Sequence, residues 1–197
     1  MRRIIMVCTV CALFSANAGG QGPNQSPTAN GPDQHVQMQG TAGAAGNFDG
    51  VSFGGADLSR ANFHAASLVG AGLEFVRLDS ADFVAADLSY ATVLPNSAKD
   101  ANFTRAVLTH VMGNSGNFDG AVLSVSRLEG ANFIGASFVG AYLGDTNLIG
   151  ASFAYANLTN ANLVGAKISN TDFFGAIWSN TICPDGSNSD TNPNCGF

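Results

Sequence analysis

Residues 46–75 read GNFDG VSFGG ADLSR ANFHA ASLVG AGLEF when cut into fives. The third residue of each unit is large and apolar. The same phase runs unbroken from Gly46 to Cys183, through Phe48, Phe53, Leu58, Phe63, Leu68 and onward to Trp178 and Cys183. Of 28 third positions, 22 are Leu or Phe, and the residue two before is Ala at 18 of 28. A large residue beside a small one, repeated over 138 residues, is the strongest signal in the chain.

A period of five fits neither regular element. Five residues of an α-helix advance about 500°, so the Leu/Phe positions would wander round the helix and form no stripe. On a strand, side chains alternate, and an odd period sends successive centres to opposite faces. A chain that bends the same way once per unit turns every centre toward a common axis. The small residue two before it also points inward, and large beside small fills a narrow interior. Such coils stack at strand spacing, about 4.8 Å. The expected architecture is a solenoid with a column of side chains as its core.

The units ADLSR, ANFHA, ADFVA, ADLSY, ANFTR, ANFIG, ANLTN and ANLVG closely resemble those of the pentapeptide-repeat family. The resemblance spans about 70% of the chain. It implies an all-β fold, a right-handed, four-sided parallel β-helix with four repeats per coil and about seven coils. Residues twenty apart then stack. One expected core column is Phe63, Phe83, Phe103, Leu123, Leu143, Leu163 and Cys183, with Trp178 as the last bulky centre plugging the core. A second column, Phe53, Leu73, Val93, Gly113, Phe133, Phe153 and Phe173, ends in three aromatic rings expected to stack.

Outside the repeats the chain changes character. Residues 1–18 read as a signal peptide: Arg2 and Arg3, an apolar run from Ile4 to Phe14, and the small-x-small site Ala16-Asn17-Ala18. That run is too short to span a bilayer as a stable helix. The expectation is an exported protein, periplasmic or secreted, whose mature chain does not insert into a membrane. Removal of this segment leaves six basic against fourteen acidic side chains. Residues 19–45 are rich in Gly, Gln, Asn and Pro, too polar to build a core, and read as a disordered linker. The repeat body is 46–183, and 184–197 reads as a C-terminal cap.

Only Cys183 and Cys195 remain in the mature chain, and two cysteines in an exported protein suggest one disulfide. It would close a loop over the open end of the solenoid, which otherwise presents a strand edge. Pro-Asp-Gly and Asn-Pro mark turns there. The same Trp…Thr-x-Cys-Pro-Asp-Gly…Cys tail resembles that of many exported members of the family. Asp185, Asn188, Asp190 and Asn192 carry oxygens suited to calcium, but turn formation explains them as well.

Two stretches break the pattern. Residues 94–98 (LPNSA) and 109–113 (THVMG) put small residues, Ala98 and Gly113, at centres. Each reads as a degenerate side or an outward loop, with Met112 able to swing in to fill the space left at Gly113. His35, His64 and His110 are scattered, with no convergent cysteine or carboxylate, so no metal site is expected. His110 should stack on Tyr90.

Charge is uneven. Between Gly130 and Ala166 the only charged residue is Asp145. Ile134, Val139, Tyr142, Ile149, Tyr155 and Val164 nevertheless fall at outward positions there, followed by Phe174 just beyond it. A low-charge surface with exposed apolar side chains marks a contact region. The expected function is a non-catalytic structural or interaction module, self-associating as a possible homodimer or binding an unknown protein through this half. No nucleophile–base set, phosphate loop or paired catalytic carboxylates appear, so neither an enzyme nor a cofactor is expected.

A glycan-binding surface is the runner-up, since Asn, Ser and Thr ladders could face carbohydrate. The resemblance also raises DNA mimicry, by which some members bind gyrase. That needs rows of acids. The outward columns Asn47, Ser67, Asp87, Val107, Arg127, Asn147, Lys167 and Asn62, Asp82, Asn102, Val122, Tyr142, Asn162 hold only isolated ones. The other two such columns hold one acid each, Asp57 and Asp172. No nucleic-acid partner is expected.

Overall fold

A computed structural model describes residues 44–94 and 97–196. The second residue of each unit bridges in parallel to the residue twenty later, from Asn47–Ser67 to Asn162–Ile182. Twenty residues are four units, so the chain closes a four-sided coil. Each side is named here by its first centre: the Phe48, Phe53, Leu58 and Phe63 sides. Among the described residues no strand is longer than one bridge, because each unit turns a corner before a longer strand can form. The parallel bonding expected of a β-helix is therefore made one residue at a time.

The backbone donors follow one rule. The N–H of each third residue donates forward nineteen residues, as Phe48 to Ser67 O at 2.7 Å, and so does the fifth, as Gly50 to Val69 O at 2.8 Å. The second donates backward, as Ser67 to Gly46 O at 2.9 Å. The first closes the turn behind it, as Ala56 to Phe53 O at 2.8 Å. Where the second residue is Asn or Asp, its side chain accepts from the fourth, as His64 N–H to Asn62 Oδ1 at 2.9 Å. That last bond explains why Asn or Asp follows Ala so often: it satisfies the one donor the coils leave over.

The corner itself is a left-handed residue. Every described fifth residue from Gly50 to Asn180 has positive φ, between +50° and +74°. Glycine fills ten of these positions. Ala, Ser, Asn, Asp, Arg and aromatic residues fill most of the others. Val125, at φ +62°, carries a β-branched side chain where it is least suited.

Inside, the predicted core column is closed. Phe63, Phe83, Phe103, Leu123, Leu143 and Leu163 are all at most 1% exposed. Phe63, Phe83 and Phe103 stack at 5.1 and 5.0 Å with nearly parallel planes. Trp178 is only partly buried, edge-on to Phe173 at 5.0 Å. The second aromatic column differs from the expectation: Phe133, Phe153 and Phe173 tilt by 32° and 31° instead of stacking flat. The cause lies next door, where Phe118 and Phe138 meet the Phe133 ring edge-on at 5.2 Å each.

The irregular stretches keep register. Pro95 and Asn96 lie outside the described residues, but Phe75 still donates to Leu94 O and Ser97 still bridges Arg77 and Asn117. At Gly113 the ladder is likewise unbroken. The expected filling by Met112 does not occur: Met112 is 44% exposed. The Phe133 ring occupies the space where a Cβ on Gly113 would stand, and Phe118 lies 2.6 Å from where a Cβ on Gly116 would be. Two missing side chains make room for two rings. The signal peptide (1–18) and nearly all of the linker (19–45), with His35, lie outside the described residues. Ala45 already donates to His64 O, so the coil path is entered at least one residue before Gly46.

Two substitutions test this packing. Gly113→Leu restores the residue type of the repeat yet inserts a side chain into the Phe133 ring. Chemical denaturation should show a loss of about 1–3 kcal/mol. Val125→Gly or Val125→Asn removes the penalty of a β-branched left-handed residue and should raise stability by about 0.5–1 kcal/mol. Equal or lower stability would mean that the corner at 125 carries no strain.

Candidate interaction surface

The seven apolar residues predicted at the contact region do not form one patch. Ile134, Tyr155 and Phe174 lie where the Phe53 side turns its corner, and Phe174 is 69% exposed. Tyr142 and Val164 project from the Phe63 side, and Ile149 from the Phe48 side. Val139 is half-buried on the Leu58 side. The cluster that the fold assembles is therefore Ile134, Ala154 and Phe174 in one column, with the Tyr155 ring edge-on to Phe174 at 5.5 Å. The Phe53 side has only two charged residues among its units, Glu74 and Asp172, and no basic residue or histidine.

Sequence reasoning missed several exposed apolar residues. Phe75 is 73% exposed in the same corner column as Tyr155, and Val125 and Ile177 are about half-exposed on other sides. The signal was present: a bulky residue at position two, four or five must face outward. Tyr90 and His110 stack as expected, with ring centroids 5.1 Å apart. The His110 ring lies over Gly130, where a Cβ would meet it at 2.6 Å.

The acids are mostly occupied in holding coils together. Asp49, Asp79 and Asp119 each accept from the serine hydroxyl on the next coil and from a backbone N–H there: Val69 at 3.0 Å, Lys99 at 3.1 Å and Val139 at 3.0 Å. Asp57, Asp82, Asp87 and Asp172 accept from their own turn, as Val84 N–H to Asp82 at 2.9 Å. Arg77 sits 3.7 Å from Asp57 and 3.4 Å from Asp79. These carboxylates close turns and clip coils, and no side carries an unbroken acidic row.

The tail is an ordered hairpin. The Cys183–Cys195 disulfide closes it, and Cys183 is fully buried at the end of the core column. Ile182 pairs antiparallel with Asn188, reversing the parallel pattern of the coils. Asn180 donates to Asn160 Oδ1 at 2.7 Å and accepts from Asn188 at 2.9 Å, so the tail extends an amide ladder of the rod. Asp185 accepts from the Ser187 hydroxyl and N–H, which lowers its carboxyl pKa. Asn188 accepts from Asp190 N–H, Asp190 from Asn180 N–H, and Asn192 donates to Ser187 Oγ. Three of the oxygens considered for calcium, Oδ1 of Asp185, Asn188 and Asp190, are thus engaged within the tail. Among the described residues, no three His, Cys, Asp or Glu side chains gather as metal ligands.

A filled, four-sided rod whose polar side chains serve its own ladders is a repeat scaffold. Eight copies of the Pentapeptide repeats pattern match over residues 47–83, 117–148 and 141–177. The chain belongs to the pentapeptide repeat family, whose fold is the right-handed quadrilateral β-helix and whose members are non-catalytic scaffolds. Among solved structures it is similar to HetL, a pentapeptide repeat protein involved in heterocyst differentiation regulation from the cyanobacterium Nostoc sp. strain PCC 7120. Identity there is 26%, over 78% of this chain and 77% of that one, with a TM-score of 0.33. It is similar to full-length QnrB1, a plasmid-mediated fluoroquinolone resistance protein, at 15% identity over 74% and 80% of the chains, TM-score 0.33. A pentapeptide repeat protein of the Arabidopsis thaliana thylakoid lumen shares 22% identity over 77% and 75%, TM-score 0.23. No curated protein sequence matches the chain.

If the acids are clips, Asp119→Ala should cost about 1–2 kcal/mol in chemical denaturation, since the Val139 N–H and Ser137 hydroxyl lose their shared acceptor. Asp119→Asn keeps an acceptor oxygen and should cost less than half as much. Equal losses for the two would point to charge as the important property.

Proposed function

We propose that this chain is an exported scaffold, a rod of about seven coils, that associates with a second copy or with a protein partner through the C-terminal half of its Phe53 side. The observation that carries the reading is the exposed Ile134 and Phe174 in one column, on either side of the buried Ala154, with the exposed Tyr155 ring against Phe174. Apolar side chains clustered on the side poorest in charge gain when covered, about 25 cal/mol per Å² of apolar surface removed from water. Export rests on the amino-terminal leader, and periplasmic or secreted locations both suit a disulfide-closed tail. Tyr142, Val164, Ile149 and Val139 lie on other sides and play no part in this contact.

Light scattering tests the self-association arm. The wild-type chain should exceed its monomer mass, and Ile134→Lys/Phe174→Lys should return it to the monomer without lowering its melting temperature. A monomeric wild type removes that arm. The protein partner is then sought by capture from envelope and culture fractions, with the same double variant as the control. A partner retained equally by both proteins would overturn the surface assignment. The intact mass of protein recovered from the envelope should correspond to a chain beginning at Gly19.

A further inference from the structure

The two ends of the rod are in phase. The column Asn47, Ser67, Asp87, Val107, Arg127, Asn147, Lys167 is bridged at every step, so the side that begins at Phe48 is the side that ends at Ile168. Inside the rod, each third and fifth N–H finds a carbonyl on the next coil. At the last coil, the N–H groups of Ile168, Asn170 and Gly175 meet no acceptor among the described residues. At the first coil, the carbonyls of Asn47, Asp49 and Gly54 accept from no donor among the described residues. The nineteen-residue rule makes these groups partners. A further coil beyond Ile168, Asn170 and Gly175 would present to them the carbonyls of the Asn47, Asp49 and Gly54 columns. The first coil of a second copy carries those carbonyls in that order.

One side breaks the match. On the Phe63 side the forward donor of the centre is already used within the chain: Cys183 N–H donates to Ser187 O at 2.8 Å. At the corner leading into that side Asn180 N–H donates to Asp190 Oδ1 at 2.9 Å, and the tail also takes the turn donor of Thr181, which bonds Ser189 Oγ at 3.0 Å. The antiparallel Ile182–Asn188 pair lies where the next parallel coil would run, and the disulfide holds it there. A parallel coil cannot add to an antiparallel hairpin without displacing it.

We propose that the disulfide-closed tail is a stop against head-to-tail growth, and that without it the first coil of a second copy continues the helix of the first. Such a contact joins unlike ends, does not close on itself, and makes a filament. It uses the ends of the rod, separate from the side surface considered above.

The full chain is compared with Cys183→Ser/Cys195→Ser by light scattering over a range of concentration and by electron microscopy. Wild type should hold a fixed mass. The double variant should grow with concentration into rods several single-copy lengths long. Adding Ile168→Lys, a charge at the open end, should restore a fixed mass, and adding Phe174→Lys should not. A folded double variant of fixed mass would overturn the proposal, as would growth that Phe174→Lys stops and Ile168→Lys does not. If the double variant does not fold, the native chain is folded with its disulfide formed and then treated with a reductant, which should release the same growth. A reduced chain that stays folded at fixed mass overturns the proposal equally.

Discussion

The left-handed residue at every fifth position is the constraint on which this structure rests. It turns the chain through a corner after one bridged residue, and four such corners close a coil. Because all described corners from Gly50 to Asn180 share this conformation, the bridges fall at a constant separation of twenty. The constant separation in turn lets like residues stack. Phe63, Phe83 and Phe103 lie face to face because the corners between them are alike. The cost of a left-handed residue, about 1–2 kcal/mol without glycine, recurs at sixteen non-glycine corners. Coil-to-coil hydrogen bonding and core burial must offset it.

The same geometry decides where function can reside. Positions one and three are consumed by the core. Position two is tied to its bridge, and its side chain often to the turn. Three of the acids, Asp49, Asp79 and Asp119, reach across to the next coil. Few outward side chains remain uncommitted, and the bulky apolar ones among them have no structural duty that accounts for them. Phe174 illustrates the point: its N–H serves the Asp172 turn, while its ring projects into solvent beside Tyr155.

Much of this was legible in the sequence because the period is short and unbroken. The phase alone placed Phe63, Leu123 and Leu163 inside and Phe174 outside, and the four-sided coil implied by the family resemblance set Tyr90 over His110. What the phase could not supply was contact between neighbouring columns. The filling of Gly113 by Phe133 depends on Phe118 and Phe138, which belong to another side and lie five and twenty-five residues away along the chain. A rule that follows one column at a time sees a gap and reaches for Met112. For the contact residues the sequence supplied the low-charge half and the column shared by Ile134 and Phe174; the structure adds the Tyr155 ring beside Phe174 and places the other four on other sides. The tail's antiparallel pairing had no periodic signal at all, since the repeat ends where the hairpin begins.

A solenoid built by translation has no intrinsic length. Each coil is bound to the next by bonds of one kind, and among the described residues the coil at Gly46–Ala65 bonds forward as the later coils do. Length is therefore set by whatever spoils the edge. Here the core is not tapered off: Ile168, Phe173 and Trp178 remain apolar and only partly buried at the final coil. The ending is made instead by a hairpin over the Phe63 side and the corner before it, which uses the forward donors of Cys183 and Asn180 before another chain could reach them. A covalent bond suits that task better than more packing would. Added apolar cover would enlarge the exposed end it was meant to close, whereas the disulfide fixes a polar tail with almost no surface of its own.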